Sequence, residues 1–304
     1  MANPLVSVCI GAYNRKDYIR ACVDSVLAQT YPHLEVVVVD DASTDGTLEI
    51  LKTYGDRIHL VCRDVNSGIC PVTRNQAAQA ARGKYLAFLD SDDIWLPSKI
   101  ERQVEFMEAH PDVPLCHTLC EVVDGDGKSQ GLRHSVDVIP PTGMIFEHLL
   151  DHCWITISST MVRRELFDEI GWFNCEAPYG YLGEDHEFFL RTARRHPIGF
   201  VPVLLTQFRK AGQGITAKNW QGNPKPVPLF QALLLREDIW QGVVPRSRMV
   251  QALVDKLEEN YWFYRNRRES ARARWFARQW IALAPFSPVP WKRWMATFFR
   301  RVTG

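Results

Sequence analysis

Three acids follow directly on a short apolar run: Tyr85-Leu86-Ala87-Phe88-Leu89 ends in Asp90-Ser91-Asp92-Asp93. Carboxylate oxygens are hard donors that suit Mg²⁺ or Mn²⁺, and such ions typically take few protein carboxylates and leave their remaining positions to substrate phosphates. The apolar run has the length of a strand buried on both faces of a parallel sheet. Open α/β sheets bind ligands outside the carboxyl ends of such strands. A second acidic pair, Asp40-Asp41, closes another apolar run, and a third, Glu184-Asp185, stands about ninety residues beyond the first cluster. Each has a plainer reading. Asp92 or Asp93 could cap the helix that starts near Pro97, and Glu184-Asp185 would suit the positive end of a helix dipole. A cap, however, needs one acid where the cluster offers three.

The elements that must position these acids alternate. Residues 6–10 predict a strand, Gly11-Ala12-Tyr13-Asn14 turns off its end, and a helix over about 16–29 presents Ile19, Val23, Val26 and Leu27 on one face. A strand at 34–39, a helix at 47–54, a strand at 58–62, the loop Asn66-Ser67-Gly68 and a helix at 72–81 lead into the strand at 85–89. This β-α alternation predicts an α/β fold, a mostly parallel sheet flanked by helices. After a helix at 97–109, a strand at 115–123 and the turn Asp124-Gly125-Asp126-Gly127 break the pattern and predict an antiparallel excursion. A helix at 144–150, a strand at 156–162 and a short helix ended by Gly171 follow. Then come a Gly-, Pro- and Tyr-rich loop at 174–183, the helix opened by Glu184, a strand at 198–207 and a basic loop from Phe208 to Gly214. Three prolines within 221–228 mark a boundary, which gives a first domain over 1–220 and a helical extension over 221–304.

The totals agree with one large domain and an appendage: 304 residues, 46% hydrophobic, formal net charge +1. So balanced a charge argues against bulk nucleic acid as partner. The start carries no basic segment before an apolar one, and no apolar stretch reaches the roughly 18 residues of a spanning helix, so the cytoplasm is the expected compartment. The eight cysteines are scattered, several in apolar runs, which predicts reduced core thiols. Cys116, His117 and Cys120 lack a second ligand pair, and no zinc site is expected there.

Two nucleotide-binding motifs are absent: the first turn is not G-x-G-x-x-G, and no G-x-x-x-x-G-K-[ST] occurs. What the chain does resemble is an inverting family 2 glycosyltransferase. The residues that carry the resemblance are Val6–Ile10 with Tyr13-Asn14, Ser25–Tyr31, and Val38-Val39-Asp40-Asp41-Ala42-Ser43-Thr44-Asp45-Gly46-Thr47. The match continues through Asn66, Gly68, Arg74, Asn75 and Gly83-Lys84-Tyr85 to Leu89–Asp93, Trp95-Leu96-Pro97, and Gly183-Glu184-Asp185 with Phe188, Leu190 and Arg191. It covers roughly the first 210 residues, in family order.

The resemblance implies a Rossmann-like glycosyltransferase A-type fold, with 1–105 as donor-binding half and 106–220 as acceptor half. It implies that Asp41 and the backbone near Ala12, Tyr13 and Asn14 contact the nucleotide base, usually uracil, with Asp40 supporting the turn. Gly68, Asn75 and Ser91 fall among the nucleotide-sugar-binding positions. Asp90 and Asp92 match the D-x-D, Asp92 being the direct ligand of Mn²⁺ or Mg²⁺ on the donor diphosphate, and Asp185 matches the catalytic base. Gly11-Ala12 departs from the family, in which many members carry Pro or Thr before the Tyr-Asn pair.

Displacement at an anomeric carbon needs a leaving diphosphate whose growing charge is stabilised, by a metal and by basic groups such as Arg209 or Lys210. It also needs an acceptor hydroxyl deprotonated as it attacks, the role assigned to Asp185. Glu184 and Trp154 are candidate acceptor contacts, although an aromatic beside a strand is more often core. Alternatives are a sugar nucleotidyltransferase, which would carry a Gly-rich basic loop after the first strand, and a non-catalytic nucleotide-sugar-binding or membrane scaffold.

From Tyr261 on, the chain is aromatic and basic. On a helix Phe276, Trp280 and Leu283 share one face, and Arg267, Arg274 and Arg278 another; Trp291, Trp294 and Phe298 could form a second apolar face. This pattern predicts either an interfacial helix on an anionic membrane surface or a helical extension with its aromatics packed inward. A membrane site would suit a saccharide acceptor linked to a polyprenyl lipid, with the protein peripheral on the cytoplasmic face. Binding of nucleic acid by the same residues is not expected.

Overall fold

The computed structural model describes residues 3–133, 140–176, 183–210, 227–283 and 288–299. The chain divides into two compact units, Met1–Ala211 and Gly212–Gly304. Residues 211–214 of the expected basic loop, 221–226 of the proline segment and 177–182 of the Gly-, Pro- and Tyr-rich loop lie outside the described residues, as do Phe286, Arg300, Arg301 and the side chain of Phe298.

In the first unit the strands are β1 (Val6–Ala12), β2 (Leu34–Asp40), β3 (His59–Cys62), β4 (Tyr85–Asp90), β5 (Ile94–Trp95), β6 (Leu115–Val123), β7 (Ser129–Leu132), β8 (Thr160–Arg163) and β9 (Ile198–Arg209). The helices are α1 (Ile19–Leu27), α2 (Thr47–Lys52), α3 (Cys70–Ala80), α4 (Lys99–Ala109), α5 (Phe146–Asp151), α6 (Glu165–Ile170) and α7 (Glu184–Ala193). The strands form one mixed sheet in the order β3-β2-β1-β4-β8-β6-β9-β5, with β7 on β6. The parallel part expected from the β-α alternation is β3-β2-β1-β4. Beyond it β8 runs antiparallel to both β4 and β6, and β9 returns parallel to β6.

Register decides where the acids end up. Gly11 pairs with Asp90 across β1 and β4, and Ala12 pairs with Asp40 across β1 and β2, so the acidic ends of both strands stop level with the end of β1. A one-residue slip would turn every side chain to the other face of the sheet, and the buried valines Val6, Val8, Val36 and Val38 oppose it. On one face these valines with Ile10, Ala87 and Leu89 pack against Ile19, Val23 and Val26 of α1 and Ile100, Val104 and Met107 of α4. Each such side chain gains roughly 1.5–3 kcal/mol on burial. On the other face Phe88 meets Phe173 edge-on at 5.1 Å, and Phe173 meets Phe188 at 4.5 Å. That cluster ties α7, and with it Glu184 and Asp185, to the strand that carries the acids.

Two departures from the expected elements matter for the site. The predicted strand at 156–162 resolves into a 3₁₀ turn at Ile157–Ser159 followed by β8. The two-residue β5 follows the acidic cluster and pairs antiparallel with Thr206 and Gln207 of β9, closing the acidic loop against that strand.

The second unit contains α8 (Val227–Leu235), α9 (Glu237–Trp240), α10 (Arg246–Asn266), α11 (Ser270–Leu283) and α12 (Pro288–Phe299). Phe276 and Trp280 of α11 are buried, and Phe276 stacks on Tyr264 of α10 at 5.5 Å. The expectation that these two aromatics form a face free for a membrane is therefore corrected: both are buried, Phe276 against Tyr264 of α10 and Trp280 under the Arg293 guanidinium of α12, and they belong to the core of this unit. No helix among the described residues is long and apolar enough to cross a membrane.

Candidate functional site

The site is built at the carboxyl ends of β1, β2 and β4. The chain leaves β1 through Gly11, where a Cβ would lie 2.2 Å from the Thr73 hydroxyl oxygen of α3, so the departure at this position follows from close helix packing. Asn14 adopts φ 51°, a left-handed conformation that Asn tolerates better than most residues. Its N–H donates to Ser43 Oγ and its Oδ1 accepts the Thr44 N–H, which locks the loop after β1 to the loop after β2. Tyr13 between them is 42% exposed.

Asp40 is buried, with Oδ2 accepting the Ser43 N–H in the turn after β2; among the described residues its Oδ1 has no hydrogen-bond partner. Asp41 is held from the loop after β3. Its carboxylate accepts from the Ser67 N–H and hydroxyl and the Asn66 amide, and Arg63 Nε lies 2.8 Å from Oδ1. The Asn66 Oδ1 accepts the Gly68 N–H, and Gly68 takes φ 75°, the region glycine enters at least cost. Asn75 makes a different contact: its amide donates to the Phe173 carbonyl and accepts from the Phe173 N–H, fastening α3 to the segment before α7.

The three acids after β4 have three different environments. Asp93 is structural: Oδ1 accepts the Arg209 N–H at 2.8 Å and Oδ2 the Ser158 hydroxyl at 2.5 Å. Burial, with the charges of Asp92 and Asp90, pushes its carboxyl well above the usual range. Asp90 faces Arg74 at 2.7 Å and keeps about a third of its side chain exposed. Asp92 faces Arg15 at 3.4 Å. Burial and the neighbouring Asp90 charge raise the Asp92 carboxyl, and Arg15 offsets part of that. Ser91 is buried between them.

Arg209, expected to face the leaving diphosphate, is a strut instead. Its Nε donates to the Asp92 carbonyl and its Nη1 to the carbonyls of Asp124 and Gly125, so it braces the acidic loop against the turn after β6. Lys210 is exposed, and its N–H donates to the Val123 carbonyl.

Arg74 joins the two halves of the site. Buried on α3, it reaches Asp90 with Nη2 and Glu184 of α7 with Nη1. Burial works against its charge, but the two carboxylates more than offset this. Burial pushes the Glu184 carboxyl up to about 7, against the pull of Arg74. Asp185 follows in the same first turn, with Oδ1 on the His186 N–H at 2.8 Å; among the described residues its Oδ2 has no hydrogen-bond partner. Trp154 packs edge-on against His152 at 4.6 Å.

Asp90 and Asp92 fit a divalent cation. Each is a hard donor, and burial together with the neighbouring Asp90 charge raises the Asp92 carboxyl, a cost that a cation relieves. Among the described residues no group of three or more His, Cys, Asp or Glu converges as a closed cage, so the remaining positions would fall to donor phosphates. Arg15, Arg63 and Ser158 are the site residues that sequence reasoning missed. Each is isolated in sequence, and only its packing against an acid reveals it.

The fold and the acidic site define a class, and the sequence agrees with it. Residues 7–171, more than half of the chain, match the profile "Glycosyl transferase family 2", and the chain belongs to that inverting family. It is 53% identical over 107 residues to a relative named for teichuronic acid biosynthesis, TuaG of Bacillus subtilis, covering 34% of this chain and 42% of TuaG. It is 45% identical over 107 residues to WfaP of Escherichia coli, named as a UDP-Glc:alpha-D-GlcNAc-diphosphoundecaprenol beta-1,3-glucosyltransferase, covering 34% and 41%. The match thus spans about two-fifths of the length of each. Among solved structures, S. aureus TarS 1-349 in complex with UDP-GlcNAc superposes with a TM-score of 0.67 at 21% identity, over 92% of this chain and 82% of that one. The Pyrobaculum calidifontis mannosyltransferase PcManGT in complex with GDP-Man and Mn²⁺ gives 0.59 at 20%, over 98% and 80%. The likeness is one of fold, the glycosyltransferase A type.

Proposed function

We propose that the chain transfers a hexose from a UDP-sugar to a hydroxyl of a polyprenyl-linked saccharide, with inversion, in the assembly of a bacterial surface polysaccharide at the cytoplasmic face of the membrane. The observation that carries this reading is the Arg74 bridge, which ties Asp90 of the acidic cluster to Glu184 and so brings Asp185 to the same sheet edge. The names of TuaG and WfaP support the polysaccharide setting, the UDP donor and the lipid-linked acceptor.

In this reading the Asp41 platform and the backbone at Ala12 and Tyr13 receive the nucleotide base. Asp92, with Asp90, would hold Mn²⁺ or Mg²⁺. When bound, that ion supplies Lewis-acid stabilisation of the leaving diphosphate. Asp185 accepts the proton of the acceptor hydroxyl as its oxygen bonds to the anomeric carbon and the bond from that carbon to the diphosphate oxygen breaks. Glu184, tied to Arg74, positions the start of α7 and leaves the base role to its neighbour.

The test is turnover of a panel of UDP- and GDP-sugars with Mn²⁺ or Mg²⁺ and a short lipid-linked acceptor. Asp185→Asn should lower kcat by about 10²–10⁴ with donor binding retained, the usual scale for a general base. Asp92→Ala should abolish metal-dependent nucleotide binding. Turnover indifferent to both substitutions would overturn the assignment.

A further inference from the structure

We infer that the outer strip formed by α11 and α12 docks on the surface of an anionic phospholipid bilayer. With Phe276 and Trp280 enclosed in the core of the second unit, the opposite face of α11 is what remains for a partner. It carries Trp275 and Arg278, and Trp275 is 48% exposed; Arg272, one turn before Phe276, lies at the edge of that face with its guanidinium over the Tyr264 ring. The strip continues onto α12. The Arg278 guanidinium lies 5.9 Å from the Trp294 ring, which meets Trp291 at 6.3 Å; Trp291 is 43% exposed, and the adjacent Lys292 is exposed as well.

Charge selects the kind of partner. Residues 270–304 contain seven Lys or Arg and no Asp or Glu, although the chain as a whole is nearly neutral. Arg272, at the edge of the strip, is paired with Glu269 from outside that segment. Two copies of this chain meeting through the strip would set like charges against each other. An anionic headgroup layer complements it: Arg and Lys favour the phosphate level, and Trp sits where one edge is apolar and the other wet. Single-stranded nucleic acid also attracts interleaved Trp and Arg. The choice of a bilayer over it rests on the lipid-linked acceptor proposed above, since binding there would hold the chain on the surface where that acceptor resides.

The experiment is co-sedimentation of the full chain with vesicles of phosphatidylcholine alone and of phosphatidylcholine with phosphatidylglycerol, with brominated lipid to quench tryptophan fluorescence. The expected result is binding only to vesicles containing phosphatidylglycerol, weakened by salt and accompanied by quenching. Arg278→Glu with Lys292→Glu should lower the affinity at least about tenfold, as expected for two charges reversed at an anionic surface, and Trp275→Ser with Trp291→Ser should remove the quenching. Far-UV circular dichroism identical to wild type establishes that these exposed substitutions leave the helices folded. Equal binding to both vesicle types, no binding to either, or preference for a single-stranded oligonucleotide would overturn the inference. Donor turnover with the short lipid-linked acceptor, measured on the same preparations, separates the two readings. Turnover without vesicle binding rejects the docking strip alone, and vesicle binding without turnover in the presence of that acceptor rejects the transferase alone.

Discussion

Arg15 is paired with Asp92, the residue to which the proposed reading gives the divalent cation. Its Nε is 3.4 Å from Asp92 Oδ2, and its Nη1 is fixed on the Tyr13 and Asn14 carbonyls, so the guanidinium is held where it is. Both side chains keep about a fifth of their surface in solvent, which limits such a pair to about 0.5–1 kcal/mol. A divalent ion arriving at Asp92 must displace that interaction. Arg15→Ala should therefore tighten Mn²⁺ binding in the absence of donor about two- to fivefold, the free-energy equivalent of the pair, measured by electron paramagnetic resonance of free Mn²⁺. Unchanged or weaker Mn²⁺ binding would show that Arg15 serves the loop alone. The acids of this site were legible because each group stands at the end of an apolar run or the start of a helix. The arginines were less so: Arg74 was picked out by the resemblance without a partner, Arg15 and Arg63 sit singly in a loop and after a strand, and which carboxylate each meets depends on how separate elements register.

At the scale of elements, the sharpest constraint is the seat of β1 on α3. Thr73 is buried, its hydroxyl donates to the Cys70 carbonyl, and a Cβ on Gly11 would come within 2.8 Å of its Cβ. Relief would require Thr73 to leave that bond or α3 to shift, and overpacking of this kind costs about 1–3 kcal/mol. Gly11→Ala should lower the urea midpoint accordingly, and Gly11→Ala with Thr73→Ala, which removes the hydroxyl oxygen in the way, should recover part of the loss. An unshifted midpoint would mean that α3 yields freely. The β-α alternation predicted the parallel half and helices flanking it, but not which strand α3 would seat. Two more things escaped it. β5 is two residues long, too short to show a period, and exists because Thr206 and Gln207 of β9 reach it. The face of Phe276 and Trp280 was legible as a face, but helical spacing tells which residues point together and not what covers them; here Tyr264 of α10 covers Phe276 and Arg293 of α12 covers Trp280.

For the molecule as a whole, stability depends on a charge placed inside the first unit. Lys99, at the start of α4, is fully buried; its Nζ donates to Gln103 Oε1 at 2.6 Å and lies 3.9 Å from the centre of the Trp95 ring. Trp95 itself donates to the Ser158 carbonyl, so this contact stands behind the acidic loop. Burial pushes the ammonium down to about 7 in the folded chain, against about 10.4 when unfolded. Between those values the unfolded chain binds the proton that the folded chain has lost. Stability from this group therefore rises with pH across about 7 to 10, by up to about 1.4 kcal/mol per unit, and levels off below 7, where both forms are charged. Lys99→Met removes the titrating group while keeping most of the volume. The variant should be more stable than wild type by urea unfolding at pH 7, with the gap closing as the pH approaches 10. A gap of the same size at both pH values would mean that Lys99 keeps its proton throughout, stabilised by Gln103 and the Trp95 ring, and that the core tolerates the charge.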